Sequence, residues 1–264
     1  MANAPTTGIH GLRGDQIIAP TAQGAARLLA ACLADHLQQR LSMVQVAHLA
    51  LSGGSSATLL GAALAEAAAL SASDWSRIHV WMVDERCVAN DDPRLNFNLV
   101  RSALLANVPL PPDHLHPMPV LDVINGAYHY EIELRAALAE RRDLAERRLD
   151  AVVLGMGADG HTASLFPGSP ALAEQERMIV LNDGDRVTSP RPRMTMTYPL
   201  LNRAHLIALL VTGESKKAAL ERAAAAPSDI AGCPVVGVVP DIGSRLLWFL
   251  DREAAAQGPN ASGS

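Results

Sequence analysis

Short, continuous apolar runs recur along this chain, each closed by glycine, proline or a charged cluster. They lie at residues 44–51, 78–83, 151–154, 178–181, 205–211, 235–239 and 246–250, and several are β-branched at their centres. Runs that are apolar throughout, rather than alternating, are the mark of strands covered on both faces, as in a parallel sheet. Between them the apolar spacing changes to a helical period. Residues 21–39 carry the stripe Ala25, Leu28, Leu29, Cys32, Leu33, Leu37. Further helices are expected at 57–70, from 96 to about 106, over the charged stretch 126–148, from about Pro199, and over 212–225. In 126–148 the pairs Glu131/Arg135 and Asp143/Arg147 have the favourable i, i+4 order, so that stretch reads as a solvated face. Strands alternating with helices predict an α/β fold. We expect one open, mostly parallel sheet flanked by helices, a single domain over residues 1–254, and a small polar tail at 255–264 that stays disordered.

Composition narrows the picture. The 264 residues are 49 % hydrophobic but only 3 % aromatic, so the core must be built mainly from Ala, Leu and Val. A net charge of −5 argues against a nucleic-acid partner bound through a broad basic face, yet leaves room for a small anion held by a few local cations. Three scattered cysteines show neither a disulfide framework nor zinc spacing. The first 19 residues lack the basic-then-apolar layout of a signal peptide, and no apolar run has membrane-spanning length, so a cytoplasmic protein without a membrane partner is expected.

The chemistry concentrates in one stretch. The run 151–154 feeds into Gly155-Met156-Gly157-Ala158-Asp159-Gly160-His161-Thr162-Ala163-Ser164-Leu165-Phe166-Pro167-Gly168. Ligands of open α/β sheets bind beyond the carboxyl ends of the strands, where this places Asp159 and His161. The imidazole is a candidate proton carrier, and Asp159 can orient it or cap the turn. The bland alternative is that His161 only closes a turn. Gly155, Gly157 and Gly160 also match a dinucleotide-binding pattern, but that pattern needs a helix directly behind it, and Pro167-Gly168 leaves no room for one.

Other strand ends add to this. Ser52-Gly53-Gly54-Ser55-Ser56 between a strand and a helix has the layout of a phosphate site, since loop N–H groups and the helix N-terminus both favour an anion. Asp84-Glu85-Arg86 closes the 78–83 run, where exposure or pairing is expected. His114-Leu115-His116 looks like half a metal site without partners, so a structural role is expected and no metal.

Together, Leu51-Ser52-Gly53-Gly54-Ser55, Val83-Asp84-Glu85-Arg86 with Asn96-Phe97-Asn98, the glycine-histidine stretch, Arg193-Met194-Thr195 and Val211-Thr212-Gly213-Glu214-Ser215-Lys216 resemble the 6-phosphogluconolactonase family, in its order and over roughly residues 20 to 250. The resemblance implies a Rossmann-like fold shared with glucosamine-6-phosphate deaminase and hydrolysis of 6-phospho-D-glucono-1,5-lactone in the oxidative pentose phosphate pathway. It also implies no cofactor. Two positions depart from the pattern: Ser56-Ala57 where the family usually has Thr-Pro, and Leu95 where it often has Ser. The deaminase is the nearest alternative. It carries Asp-Glu-Tyr in place of Asp84-Glu85-Arg86 and an acidic stretch in place of Ser164-Leu165-Phe166-Pro167, so both comparisons favour the lactonase. A non-catalytic sugar-phosphate sensor would keep the serine-glycine loop without needing His161.

The expected site follows from these matches. His161 serves as general base and then acid, with Asp159 and Asp84 as further catalytic carboxylates. Ser52, Gly53, Gly54, Ser55, Ser56, Arg86, Arg193 and Lys216 bind the phosphorylated lactone, and the N–H groups of Gly157 and Gly160 are candidate oxyanion donors.

Overall fold

The computed structural model describes residues 8–67, 70–105, 108–183 and 192–255. The chain opens with β1 (Asp15–Ala19) and α1 (Ala22–Leu41), then β2 (Ala47–Leu51), α2 (Ser55–Ala67), the short α3 (Ala72–Trp75) and β3 (Ile78–Met82). β4 (Asp84–Arg86), α4 (Asn96–Leu105), β5 (Leu115–His116), α5 (Gly126–Ala139) and β6 (Ala151–Leu154) follow. β7 (Ile179–Asn182), β8 (Arg193–Met196), the short α6 (Tyr198–Leu201), β9 (Leu206–Val211), α7 (Lys217–Ala225) and β10 (Arg245–Asp251) complete it.

Seven strands form one sheet in the order β1-β10-β9-β6-β2-β3-β5, and every pairing in it is parallel. β2, β6 and β9 are buried along their whole length, as continuous apolar runs require. From β2 the chain steps outward through β3 to β5. From β6 it steps the other way, through β9 to β10. The direction of winding therefore reverses between β2 and β6, and a crevice opens there at the carboxyl ends. Ser52, just past β2, donates its N–H to Val153 of β6 at 3.0 Å, so the two strand ends leave the sheet side by side.

A second sheet stands over that end. β4, β8 and β7 pair antiparallel in that order, with Asp84 opposite Thr195 and Arg86 opposite Arg193. Asp84-Glu85-Arg86 is thus a strand, and Asp84 and Glu85 are buried in it rather than exposed. The far end of the large sheet is closed by a buried ionic cluster. Asp150 is fully buried and binds Arg40 Nε at 2.8 Å, Arg141, and the His48 N–H at 2.7 Å.

Several expectations need correcting. Residues 235–239 are not a strand. Pro234 starts a 3-10 turn over Pro234–Gly237, and Val235 donates its N–H to Gly160 at 2.9 Å, so this apolar run packs beneath the glycine-histidine loop. The long helix from 126 stops at Ala139. Arg141 and Glu131 inside that stretch are buried, so it is no mere solvated face. Asp143 accepts the Ala145 N–H at 2.9 Å and caps a separate 3-10 turn, rather than supporting Arg147 across a helical turn. Leu28, counted in the α1 stripe, is 45 % exposed, and Ala26, Ala30 and Ala34 take its place against the sheet. β1 was not expected at all. The 184–191 part of the polar loop and the tail from 256 lie outside the described residues.

Candidate active site

The ends of five strands converge on a cleft of about 200 Å³. From β2 come Ser52, Gly53, Gly54 and Ser56; from β4, Asp84 and Arg86; from β6, Gly157 and His161; and from β8 and beyond β9, Arg193 and Lys216. Two of the site residues read from sequence, Asp159 and Gly160, are not part of its wall and sit behind His161 in the turn. Ser55 is the first residue of α2. Asn96 does line the cleft and was absent from the expected set. Its signal was the asparagine at the head of a helix, but nothing in its spacing showed that α4 would point back at β4.

The loop after β6 is built around the histidine. Gly160 has φ +91°, and its N–H closes on Gly157 at 3.0 Å. Gly157 donates to the His161 carbonyl at 2.8 Å. A Cβ on Gly157 would lie 2.1 Å from His161 Nδ1 and 2.4 Å from Asp159 Oδ1, so only glycine leaves room for the pair. Asp159 Oδ1 accepts both the His161 backbone N–H at 3.1 Å and Nδ1–H at 2.6 Å. With Nδ1 protonated by this contact, the imidazole presents Nε2 as a base. Burial tends to raise the Asp159 pKa, but the hydrogen bonds and charge of His161 outweigh it and hold the carboxyl below its usual value. The ring leans on Phe166 at 4.8 Å between centroids, and the guanidinium of Arg193 lies over the other ring contact at 5.6 Å from the Phe166 centroid.

The oxyanion expectation does not survive this geometry. The N–H groups of Gly157 and Gly160 are both engaged inside the turn, so neither is free to meet a developing alkoxide. Ala163 then takes φ +52°, the left-handed region that a β-carbon disfavours. This turn sends Thr162 Oγ1 to the Gly155 carbonyl at 2.8 Å and Ser164 Oγ to Asp84 Oδ2 at 2.6 Å. Asp84 is thereby anchored by a buried serine while its carboxylate lines the cleft.

Three buried polar atoms mark where a ligand is missing a partner. Ser52 Oγ and Asn96 Oδ1 have none among the described residues, and neither does Arg86 Nε, although another Arg86 nitrogen donates to the Arg94 carbonyl. Orphaned buried donors and acceptors are costly, and three on one cleft are what a polar, oxygen-rich molecule would satisfy. Lys216 has its pKa lowered by burial, partly offset by the charge of Asp159. Lys216 and His161 line the same cleft. Gly54 has φ +77° and nothing within 4 Å of a Cβ position, which leaves the N-terminal end of α2 open to the cleft. His114 and His116, for which a structural role was expected, are taken up in ring packing. His79 stacks on His114 at 4.1 Å, and His116 on Trp81 at 3.9 Å.

An all-parallel α/β sheet with a histidine–carboxylate pair, three cations and an open helix N-terminus at its switch point defines a protein built to handle a small anionic molecule. Residues 20–248 match the model of the family described as glucosamine-6-phosphate isomerases/6-phosphogluconolactonase, and the chain belongs to that family. A 6-phosphogluconolactonase of Streptomyces coelicolor is 35 % identical over 99 % of this chain and 97 % of its own. The human GDH/6PGL endoplasmic bifunctional protein is 39 % identical over 78 % of this chain, which spans only 26 % of that protein's length. Among solved structures, 6-phosphogluconolactonase from Trypanosoma cruzi superposes with a TM-score of 0.79 at 25 % identity, covering 98 % of this chain and all of the other.

Proposed function

We propose that this chain hydrolyses 6-phospho-D-glucono-1,5-lactone to 6-phosphogluconate, the ring-opening step of the oxidative pentose phosphate pathway. The observation that carries the reading is the His161–Asp159 pair facing a cleft lined by three cations and the start of α2. Relatives named for the lactonase, at identities that include 39 % over 82 % of the Synechocystis protein, support it. So does Arg86, where the deaminase pattern has tyrosine.

The phosphate lies at the N-terminal end of α2, where unpaired backbone N–H groups and the helix dipole favour an anion. Arg86, Arg193 and Lys216 offset its charge. At the other end, Nε2 of His161 takes a proton from water as the oxygen attacks the lactone carbonyl. The C–O ring bond breaks as the imidazolium returns that proton to the ring oxygen, and the new carboxyl group loses its own proton to solvent. Asp159 steadies the imidazolium between the two transfers. Asp84 accepts hydrogen bonds from sugar hydroxyls. No step requires a cofactor.

The test is hydrolysis of freshly generated lactone, corrected for spontaneous opening and compared with unphosphorylated gluconolactone. The phosphorylated substrate should have the far higher kcat/KM. Equal values would remove the phosphate from the reading, and no rate above background would remove the reaction.

A further inference from the structure

Glu85 is fully buried, carries a charge-bearing side chain, and is absent from the wall of the cleft. Its neighbours Asp84 and Arg86 both line that wall, as strand alternation requires, so Glu85 points to the opposite face of β4. There it meets the start of α4. Oε1 accepts the N–H of Arg86 at 2.7 Å and of Asn96 at 2.7 Å, and Oε2 accepts the N–H of Phe97 at 2.6 Å. The residue before the helix is Leu95, whose side chain has no acceptor atom. Glu85 therefore does from a neighbouring strand what a capping side chain does locally. Asn96 completes the clamp, since its Nδ2 donates to the Asp84 carbonyl at 3.1 Å while its side chain fills the space a Cβ on Gly53 would need.

We propose that Glu85 is a positioning residue for substrate binding: its carboxylate locks the strand that carries Arg86 onto the helix end that carries Asn96, and so aims both at the cleft. The inference rests on the lactonase reading above. Each of those two side chains holds a buried polar atom without a partner among the described residues, so their placement matters to the ligand rather than to each other. Burial pushes Glu85 up to about 7, against three N–H donors that favour its ionised form and with Asp84 adding to the rise. Cys87 and the buried Tyr130 are the other titratable groups that feel its charge, and Arg101 of α4 lies over the neighbouring Phe97 ring. A protonated Glu85 would have one oxygen carrying its own hydrogen against these donors, and the clamp would loosen as pH falls through neutrality.

Glu85→Gln keeps the shape but leaves one acceptor oxygen, with an amide N–H₂ against backbone donors. In the folded variant KM for the phosphorylated lactone should rise about tenfold or more with kcat within about threefold, the pattern of lost uniform binding. The Kd for 6-phosphogluconate, measured by calorimetry, should rise in parallel. Wild-type KM should climb below pH 7 along a limb that the glutamine variant lacks, which a purely structural role would not alter. Wild-type KM and Kd in folded Glu85→Gln, or an unchanged pH limb, would overturn the proposal. If that variant does not fold, Glu85→Asp decides. It should keep the pH limb with an intermediate KM, and a wild-type KM there overturns it. Absence of lactonase activity in the wild type would instead sink the functional reading, while the two Kd values would still report on Glu85.

Discussion

A side chain at position 157 would have no space. The Cβ of Gly157→Ala would overlap both His161 Nδ1 and Asp159 Oδ1, so the pair must separate or the turn must move. We expect kcat to fall about 10²-fold or more, since small displacements of an aligned acid–base group cost that much, with the fold intact by circular dichroism. His161→Asn removes the imidazole and keeps a polar side chain. The proton transfer proposed for it exists only in the transition state, so kcat should drop by roughly 10²–10⁴-fold with KM little changed. Near wild-type kcat in folded His161→Asn would assign the water's activation to another group. At this scale sequence was a good guide to which residues meet and a poor one to what they touch. His161, Asp159 and Asp84 could be placed because each follows an apolar run, and Arg86, Arg193 and Lys216 through motifs that resemble the family's. That Gly157 and Gly160 turn their N–H groups inward could not, because the same glycine spacing serves an open nest and a closed turn.

Elements show why some patterns were legible and others not. β2, β3, β6, β9 and β10 are buried runs whose apolar character has one cause, cover on both faces. The 235–239 run is equally apolar for another cause, packing under the active-site loop, and no local feature separates the two. β4 is three charged residues whose sheet partners in β8 lie more than a hundred positions later, so its pairing is invisible in a local window. α5 ends at Ala139 so that Arg141 can turn inward to Asp150. That contact supplies a prediction. Asp150→Asn would leave the buried guanidinium of Arg141 without its carboxylate and that of Arg40 with Glu146 alone. Breaking a buried pair from one side typically costs about 3–5 kcal/mol, and a loss of that size should appear in urea unfolding with kcat/KM of the remaining folded protein unchanged. A variant as stable as wild type would show the cluster to be dispensable.

The whole molecule should lose stability in acid through the buried histidines of its core. Burial lowers His48 to about 3 and His79 and His205 to about 4, against 6.5 when unfolded. Trp81 Nε1 donates to His48 Nδ1 at 3.2 Å, which requires that nitrogen to be unprotonated. Groups kept neutral by the fold bind fewer protons folded than unfolded, so their stability is complete above about 6.5 and is lost as pH falls toward the folded values. Thermal midpoints should therefore drop between pH 7 and pH 5, and less steeply in His48→Gln; a flat profile would mean that these rings titrate normally. The order of the large sheet bears on something else, the making of the protein. β1 at residues 15–19 has a single strand partner, β10 at 245–251, and α1 packs on that same late strand. A ribosome delivers the first pair-forming segment almost at once and its mate almost last. Through most of synthesis the opening strand must wait unmatched while the middle of the sheet assembles and α1 packs on the early helix α2. Chains cut short before residue 245 would keep every group of the cleft and still present the bare edge of β9 to one another, a template for aggregation rather than a smaller enzyme.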